Sequence, residues 1–189
     1  MRIISGSLKG RQISFPKLKS TEASTRPTTD FARESLFNIL QNWIEIENTQ
    51  VLDLFAGTGA IGFEFISRGA KQVTFVEKNL ICTQHIQAHC DNFKLEKSQY
   101  LLARADVFQF LANSRLTFDL IFADAPYSLP QTAHLPNLIF QQPLLNKGGI
   151  LIVEHDTSHN FANAPYFVET RHYGKSIFSF FEYQIATTT

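Results

Sequence analysis

Cysteine is scarce in this sequence: two in 189 residues, Cys82 and Cys90. Eight positions apart in one helical pattern, they lie too far from each other to bond. That excludes a disulfide-stapled secreted fold and fits a reducing compartment. No apolar run approaches the ~18 residues that a membrane-spanning helix needs. The start, Met1-Arg-Ile-Ile-Ser-Gly6, has no long apolar core of the kind a secretory signal carries. A cytoplasmic location, away from membranes, is therefore expected. Net charge is also missing, with 17 Lys and Arg against 17 Asp and Glu, which argues against a general polyanion sponge. Repeats and low-complexity stretches are absent, so arrays and solenoids drop out.

What is present is a chain with 44% hydrophobic residues, enough to exclude a disordered protein. Its length suits one domain spanning 1–189, with a basic arm and helix over 1–47 and a catalytic core over 48–189. The charge is unevenly spread. Residues 1–35 hold Arg2, Lys9, Arg11, Lys17, Lys19, Arg26 and Arg33 against Glu22, Asp30 and Glu34. The remainder holds 10 basic and 14 acidic residues, so the arm is +4 and the body −4. A basic arm on a neutral protein suggests a local phosphate-binding surface.

The rest of the chain is arranged around Val51-Leu-Asp-Leu-Phe-Ala-Gly-Thr-Gly59. The apolar residues read as a short strand buried on both faces, as in a parallel sheet. Gly57 and Gly59 let the backbone turn tightly, and a helical pattern with Ile61, Phe65 and Ile66 starts at once. Strand, glycine turn and helix N-terminus make a nucleotide-type crevice. Asp53 inside the apolar run needs a partner, since burying a bare carboxylate is expensive. Val73–Val76 reads as the next strand and ends in Glu77, about where a ribose-binding carboxylate belongs. The spacing Gly57-x-Gly59-x-x-Gly62 alone leaves a dehydrogenase and an S-adenosylmethionine methyltransferase both open.

Arg2-Ile-Ile and Arg11-Gln-Ile-Ser-Phe predict a short hairpin around Gly6 and Gly10. Asp30 is placed to cap a helix starting at Phe31, whose Leu36, Phe37, Leu40, Trp43 and Ile44 share a face, with Arg33 and Glu34 away from it. Leu80–Phe93 reads as a helix. Its Cys82, His85 and His89 could face one way, but structural zinc sites draw paired ligands from separate segments, and no metal is expected. Tyr100–Ala103 and Phe118–Ala123 read as strands, and Ser128–Pro136 as a loop. A helix is predicted over Asn137–Leu145, then a strand over Ile150–Val153 closing on Glu154. Tyr166–Tyr173 and Ser176–Tyr183 form an antiparallel hairpin at the sheet edge. His134, His155, His159 and His172 are expected on surfaces or loops. Alternating strands and helices give an α/β fold with a doubly wound, mostly parallel sheet.

In such sheets ligands sit beyond the carboxyl ends of the central strands, so Asp124-Ala-Pro-Tyr127 should face the crevice at Gly57. Asp53-x-Phe55-x-Gly57-x-Gly59, Glu77, Asp106 and Asp124-Ala-Pro-Tyr127 together resemble the Rossmann-like class I S-adenosylmethionine-dependent amino-group methyltransferases. Their fourth motif is usually Asp or Asn, Pro, Pro, then Tyr or Phe. Arg2-Ile-Ile-Ser-Gly6, Lys9-Gly-Arg11 and Arg26-Pro-Thr-Thr-Asp30-x-x-Arg33-Glu34-x-x-Phe37-Asn38 narrow the resemblance to the RsmD family, bacterial 16S ribosomal RNA guanine-N2 methyltransferases. One departure stands out: Ala125 occupies the place of the first proline.

The resemblance implies that Glu77 binds the ribose hydroxyls and Asp106 the adenine amine, with Asp53 and the Gly57 turn at the methionine end. Phe55, Gly59, Lys78, Val107 and Thr28 would complete the S-adenosylmethionine site. Asp124, Ala125, Pro126 and Tyr127 would be catalytic, and Arg2, Lys9, Arg11, Arg26 and Arg33 would hold 16S ribosomal RNA within the small ribosomal subunit, the protein acting as a monomer. The chemistry suits that turn. An exocyclic amine is a poor nucleophile, and the Asp124 carboxylate with the Ala125 carbonyl can accept its two N–H bonds, orienting the lone pair. Pro126 pushes residue 125 toward an extended backbone, and Tyr127 can stack on an extruded base. Competing readings are an amino-group methyltransferase acting on DNA or protein, a nicotinamide dehydrogenase, and an RNA-binding or assembly protein that has lost catalysis.

Overall fold

A computed structural model describes residues 1–16, 30–126, 129–174 and 176–184. Seven strands form one sheet: β1 (Gln50–Leu54), β2 (Gln72–Glu77), β3 (Tyr100–Arg104), β4 (Phe118–Asp124), β5 (Leu145–His155), β6 (Phe167–Tyr173) and β7 (Ser176–Glu182). Their order is β3-β2-β1-β4-β5-β7-β6. β7 runs antiparallel to both of its neighbours, and the other strands share one direction. The central strands are near-continuous apolar runs because both of their faces are covered.

One face carries α1 (Asp30–Leu40), α2 (Ala60–Ser67) and α3 (Leu80–Asn92), packed around Phe37, Phe63, Phe75 and Phe178. The opposite face carries α4 (Val107–Asn113) and α5 (Leu135–Phe140), packed around Leu54, Ile121, Leu151 and Phe181. The sheet is therefore doubly wound, and the C-terminal hairpin lies at its edge with β6 outermost. Among the described residues no helix is long and apolar enough to cross a membrane.

Several elements differ from expectation. The N-terminal hairpin reduces to a single antiparallel bridge, Arg2 with Gln12, flanked by Ile3 N–H to Arg11 carbonyl and Ile13 N–H to Met1 carbonyl bonds. Asp30 is the first residue of α1 and not its cap, with its carboxylate 2.9 Å from the Arg33 guanidinium. The helix expected over Asn137–Leu145 is instead α5, ending at Phe140, preceded by a 3-10 turn over Pro130–His134 where a loop was expected. Pro143 explains the early stop, because it disfavours helical backbone at Gln142. Leu145 joins β5 and pairs with Phe118, and the chain bulges before Ile150 meets Leu120. His155, expected on a surface or loop, is 3% exposed at the end of β5 and bonds the Ser179 hydroxyl at 2.8 Å.

Candidate active site

Five residues turn the chain from β1 into α2, and three of them hold positive φ: Phe55 at 58°, Gly57 at 54° and Gly59 at 76°. Left-handed backbone at a bulky residue such as Phe55 costs on the order of 1 kcal/mol, so surrounding contacts must enforce it. The Phe55 ring lies edge-on to Phe108, 6.2 Å away. The three glycines of the fingerprint do different work. A Cβ on Gly57 would meet only its own loop, at 3.8 Å, so that side is open to a ligand. A Cβ on Gly59 would sit 2.9 Å from the Phe63 ring, and one on Gly62 only 2.1 Å from the Phe75 ring. Gly62 is a packing residue that lets α2 settle onto β2.

Two carboxylates support the turn. Glu77, at the end of β2, accepts the Gly57 N–H at 2.9 Å and the Asn79 N–H at 2.7 Å. Asp53 is 2% exposed and accepts the Gly62 N–H at 3.0 Å. Burial is the main cause that pushes the Asp53 carboxyl up to about 7; the Gly62 bond opposes the shift and the nearby Glu77 charge adds to it. Asp53 thus lies within the protein and braces the turn from α2.

That shift has a consequence for stability. The unfolded chain releases the Asp53 proton near pH 4, and the folded protein keeps it until about pH 7. The unfolded state binds fewer protons in that window, so this residue destabilises the fold as pH rises from 4 to 7. Asp53→Asn keeps an acceptor for Gly62 without the titration. Denaturant unfolding should show the variant close to wild type at pH 4 and increasingly more stable up to pH 7, by at most about 4 kcal/mol. A stability difference that stays flat across that window would contradict the assignment.

Asp106 caps α4 through one oxygen, accepting from the Phe108 and Gln109 N–H groups at 3.0 and 3.3 Å. Its other oxygen has no donor among the described residues. Val107 is buried in the first turn of α4, and Lys78 is exposed just beyond Glu77.

Asp124 ends β4. Leu54 pairs with Ala123 across β1 and β4, so the next step along each strand sets Asp124 beside Phe55. On its other side Asp124 is in register with Glu154 of β5, which is 2% exposed. Ala125 follows, 1% exposed, and Pro126 is half-buried. Glu154 was not singled out from sequence, although its signal was legible: like Asp124, it is an acid closing an apolar strand. Thr28, Arg26 and Tyr127 lie outside the described residues.

In the arm, Arg2, Lys9 and Arg11 are exposed. Arg33 is not: it is 1% exposed, bonds the Arg2 carbonyl and pairs with Asp30, so it is withdrawn from the expected phosphate contacts. Its three-residue spacing from Asp30 puts the two on one helix flank, and α1 turns that flank inward. Sequence also missed Glu64 of α2, fully buried, which accepts the Ile4 and Ser5 N–H groups at 2.7 and 3.0 Å and pairs with Arg68 at 2.8 Å. His85 and His89 are occupied by the arm, at 2.8 Å from the Ser14 carbonyl and 3.3 Å from its hydroxyl.

A glycine turn opening a crevice between β1 and β2, an acid at the end of β2 and an acidic turn at the end of β4, on a sheet of this order, define a Rossmann-like class I methyltransferase. Within that class, the family model described as Conserved hypothetical protein 95 matches residues 1–182, and the chain belongs to that family, the RsmD family. YlbH of Bacillus subtilis (strain 168) is 37% identical over 158 residues, covering 82% of this chain and 83% of its own. Ribosomal RNA small subunit methyltransferase D of Haemophilus influenzae (strain ATCC 51907 / DSM 11121 / KW20 / Rd) is 31% identical over 156 residues, 82% of this chain and 78% of its own. Among solved structures, yhhF from Escherichia coli superposes with a TM-score of 0.82 at 27% identity, over 97% of this chain and 98% of the other. A 16S rRNA N2 G1207 methyltransferase (RsmC) from T. thermophilus, in complex with AdoMet and guanosine, shares the fold, with a TM-score of 0.67 at 21% identity over 85% of this chain and 45% of its own.

Proposed function

We propose that this protein transfers a methyl group from S-adenosylmethionine to the exocyclic N2 amine of a guanine in 16S ribosomal RNA, acting on the small ribosomal subunit. The observation that carries the reading is the register at the carboxyl ends of β1 and β4. It sets Asp124-Ala-Pro126 beside the open Gly57 turn, so that a methyl donor and a target amine can meet. The names of the Haemophilus influenzae and Escherichia coli relatives, Ribosomal RNA small subunit methyltransferase D, support an RNA substrate.

The residues fit the cofactor. Glu77 uses two of its roughly four acceptor positions on Gly57 and Asn79, leaving capacity for ribose hydroxyls. The unengaged Asp106 oxygen can accept from an adenine amine. The backbone from Phe55 to Gly59, with the first N–H groups of α2, receives the methionine end, and Asp53 steadies it. Bound S-adenosylmethionine supplies an electrophilic methyl on a sulfonium sulfur. Asp124 and the carbonyl of Ala125 accept the two N–H bonds of the target amine, orient its lone pair and stabilise the positive charge that develops on nitrogen. Tyr127 is proposed to stack on the base. Arg2, Lys9 and Arg11 hold phosphates, contacts that position the RNA and do not read it.

The test is direct. The protein is incubated with methyl-labelled S-adenosylmethionine and small subunits from a strain lacking it, and the labelled nucleotide is mapped. Label at N2 of one guanine is expected. Label confined to protein or DNA, or tight binding of a nicotinamide dinucleotide with none of S-adenosylmethionine, overturns the reading.

Glu77→Ala removes both the ribose acceptors and the brace on Gly57. Calorimetry should show S-adenosylmethionine binding weakened by about 1.5–3 kcal/mol, the worth of hydrogen bonds to a charged group. Unchanged affinity would move the ribose elsewhere.

A further inference from the structure

Beyond the crevice, the rim of the sheet carries an aromatic pair that the reaction as described does not use. Phe31, in the first turn of α1, is 67% exposed. Its ring lies edge-on to Tyr173 at the end of β6, with centroids 6.4 Å apart and an interplanar angle of 72°. Tyr173 is half-buried and backed by Phe178 at 6.0 Å, so it is a fixed floor from which Phe31 projects.

Register places this pair relative to the site. Asp124 pairs with Glu154, Glu154 with Phe178, and Phe178 with Arg171, one row across β4, β5, β7 and β6. β6 runs in the same sense as β4, and Tyr173 lies two residues past Arg171, above the row on the same carboxyl-end rim as Asp124. Three strand spacings separate the two, roughly 15 Å. That is too far for the target base, and within reach of a neighbouring nucleotide on the same strand.

The electrostatics suit a polyanion. Asp30 is engaged by Arg33, and Glu169 is engaged by Arg171 at 2.7 Å, so neither nearby acid is bare. Arg2 is exposed, and its carbonyl accepts from Arg33 one turn along α1 from the pair. A large aromatic left mostly in water, beside a second ring and a cation on the substrate side of the site, is the arrangement used to stack unpaired bases.

We infer that Phe31 and Tyr173 form a stacking platform for an unpaired base of the RNA substrate flanking the methylated guanine. This rests on the RNA-methyltransferase reading above. The platform supplies affinity through a π-face and is tolerant of base identity. Phe31 does not touch the reacting atoms.

The test compares wild type with Phe31→Ala, Phe31→Leu and Phe31→Trp. Binding to small subunits is measured directly, without methyl transfer, and single-turnover transfer is measured alongside. Phe31→Ala and Phe31→Leu should each weaken subunit binding by roughly tenfold or more, the range one base–aromatic stack carries. Phe31→Trp should stay within a few-fold of wild type. S-adenosylmethionine affinity and melting temperature should not move, since Phe31 is exposed. Binding unaffected by Phe31→Ala overturns the platform, and so does Phe31→Leu behaving like wild type, which indicates an apolar contact with a protein. A parallel loss of cofactor binding or of melting temperature also overturns it, by making Phe31 structural. If wild type binds subunits through Phe31 but transfers no methyl, the platform stands and the enzymatic reading fails.

Discussion

Asp124→Ala should lower single-turnover methyl transfer to small subunits by about 100-fold or more, while S-adenosylmethionine still binds. The carboxylate is one of two acceptors proposed to meet the amine as positive charge develops on nitrogen. Removing such a preorganised partner typically forfeits two to three powers of ten. The cofactor is held from β1, β2 and α4, by groups that Asp124 does not support, so its affinity is the internal control. Ala125→Pro gives the contrasting result. The carbonyl of residue 125 is supplied equally by alanine and proline, and Pro126 already restricts the residue before it. Restoring the family's usual proline should change turnover by less than about tenfold, or ~1.4 kcal/mol of barrier. An inert wild type that Ala125→Pro switches on would show that catalysis has been lost in this chain. An Asp124→Ala variant with full activity would place the chemistry elsewhere.

The parts of the fold that sequence made legible are those in which one physical demand dominates. β1 and β4 are buried on both faces, so Val51–Leu54 and Phe118–Ala123 could only be apolar, and their ends stand out as Asp-bearing turns. The Gly57 turn was legible because three positive φ angles within five residues leave little choice of side chain. Where two periodicities overlap, reading from sequence fails. Leu138, Ile139, Leu144 and Leu145 fit one helix on spacing alone, yet Leu145 satisfies its burial as the first residue of β5. Only Pro143 signalled the break.

Charged residues were the least legible. Arg33 and Glu64 carry formal charges at helix positions that read equally well as solvent-facing, and both are buried by the arm folding back onto α1 and α2. Nothing local marks a carboxylate that will accept two backbone N–H groups from sixty residues away. The arm was read as a phosphate-binding surface, and it is also a structural strap. The two roles divide by side: Ile3, Leu8 and Ile13 face the core while Arg2, Lys9 and Arg11 face solvent.

That strap makes Gly6 the most demanding glycine of the chain. A Cβ there would sit 1.7 Å from the Ser67 carbonyl oxygen and 2.3 Å from its carbonyl carbon, at a φ of +79°. Both are backbone atoms at the end of α2, and neither can swing aside. The same few residues tie the arm down: the Ser7 N–H donates to the Ser67 carbonyl at 2.7 Å, the Leu8 N–H to the Ser67 hydroxyl at 2.9 Å, and that hydroxyl to the Ser5 carbonyl. Gly6→Ala therefore lifts the arm, exposes Ile3 and Leu8, and leaves buried Glu64 with Arg68 alone. Losing partners around a buried charge and the burial of two aliphatic side chains should cost at least ~3 kcal/mol, a fall in melting temperature of roughly 6–12 °C for a chain of this size. Trypsin should cut faster at Lys9 and Arg11, and binding to small subunits should weaken while cofactor affinity holds. Gly10→Ala is the control. Its φ of +83° is equally left-handed, but a Cβ there meets nothing within 4 Å, so only the backbone penalty of about 1 kcal/mol applies. Equal melting temperatures for the two variants would mean that the arm does not dock against Ser67 in solution. A Gly6→Ala loss several-fold larger than that of Gly10→Ala would establish the contact as the anchor of the RNA-facing strap.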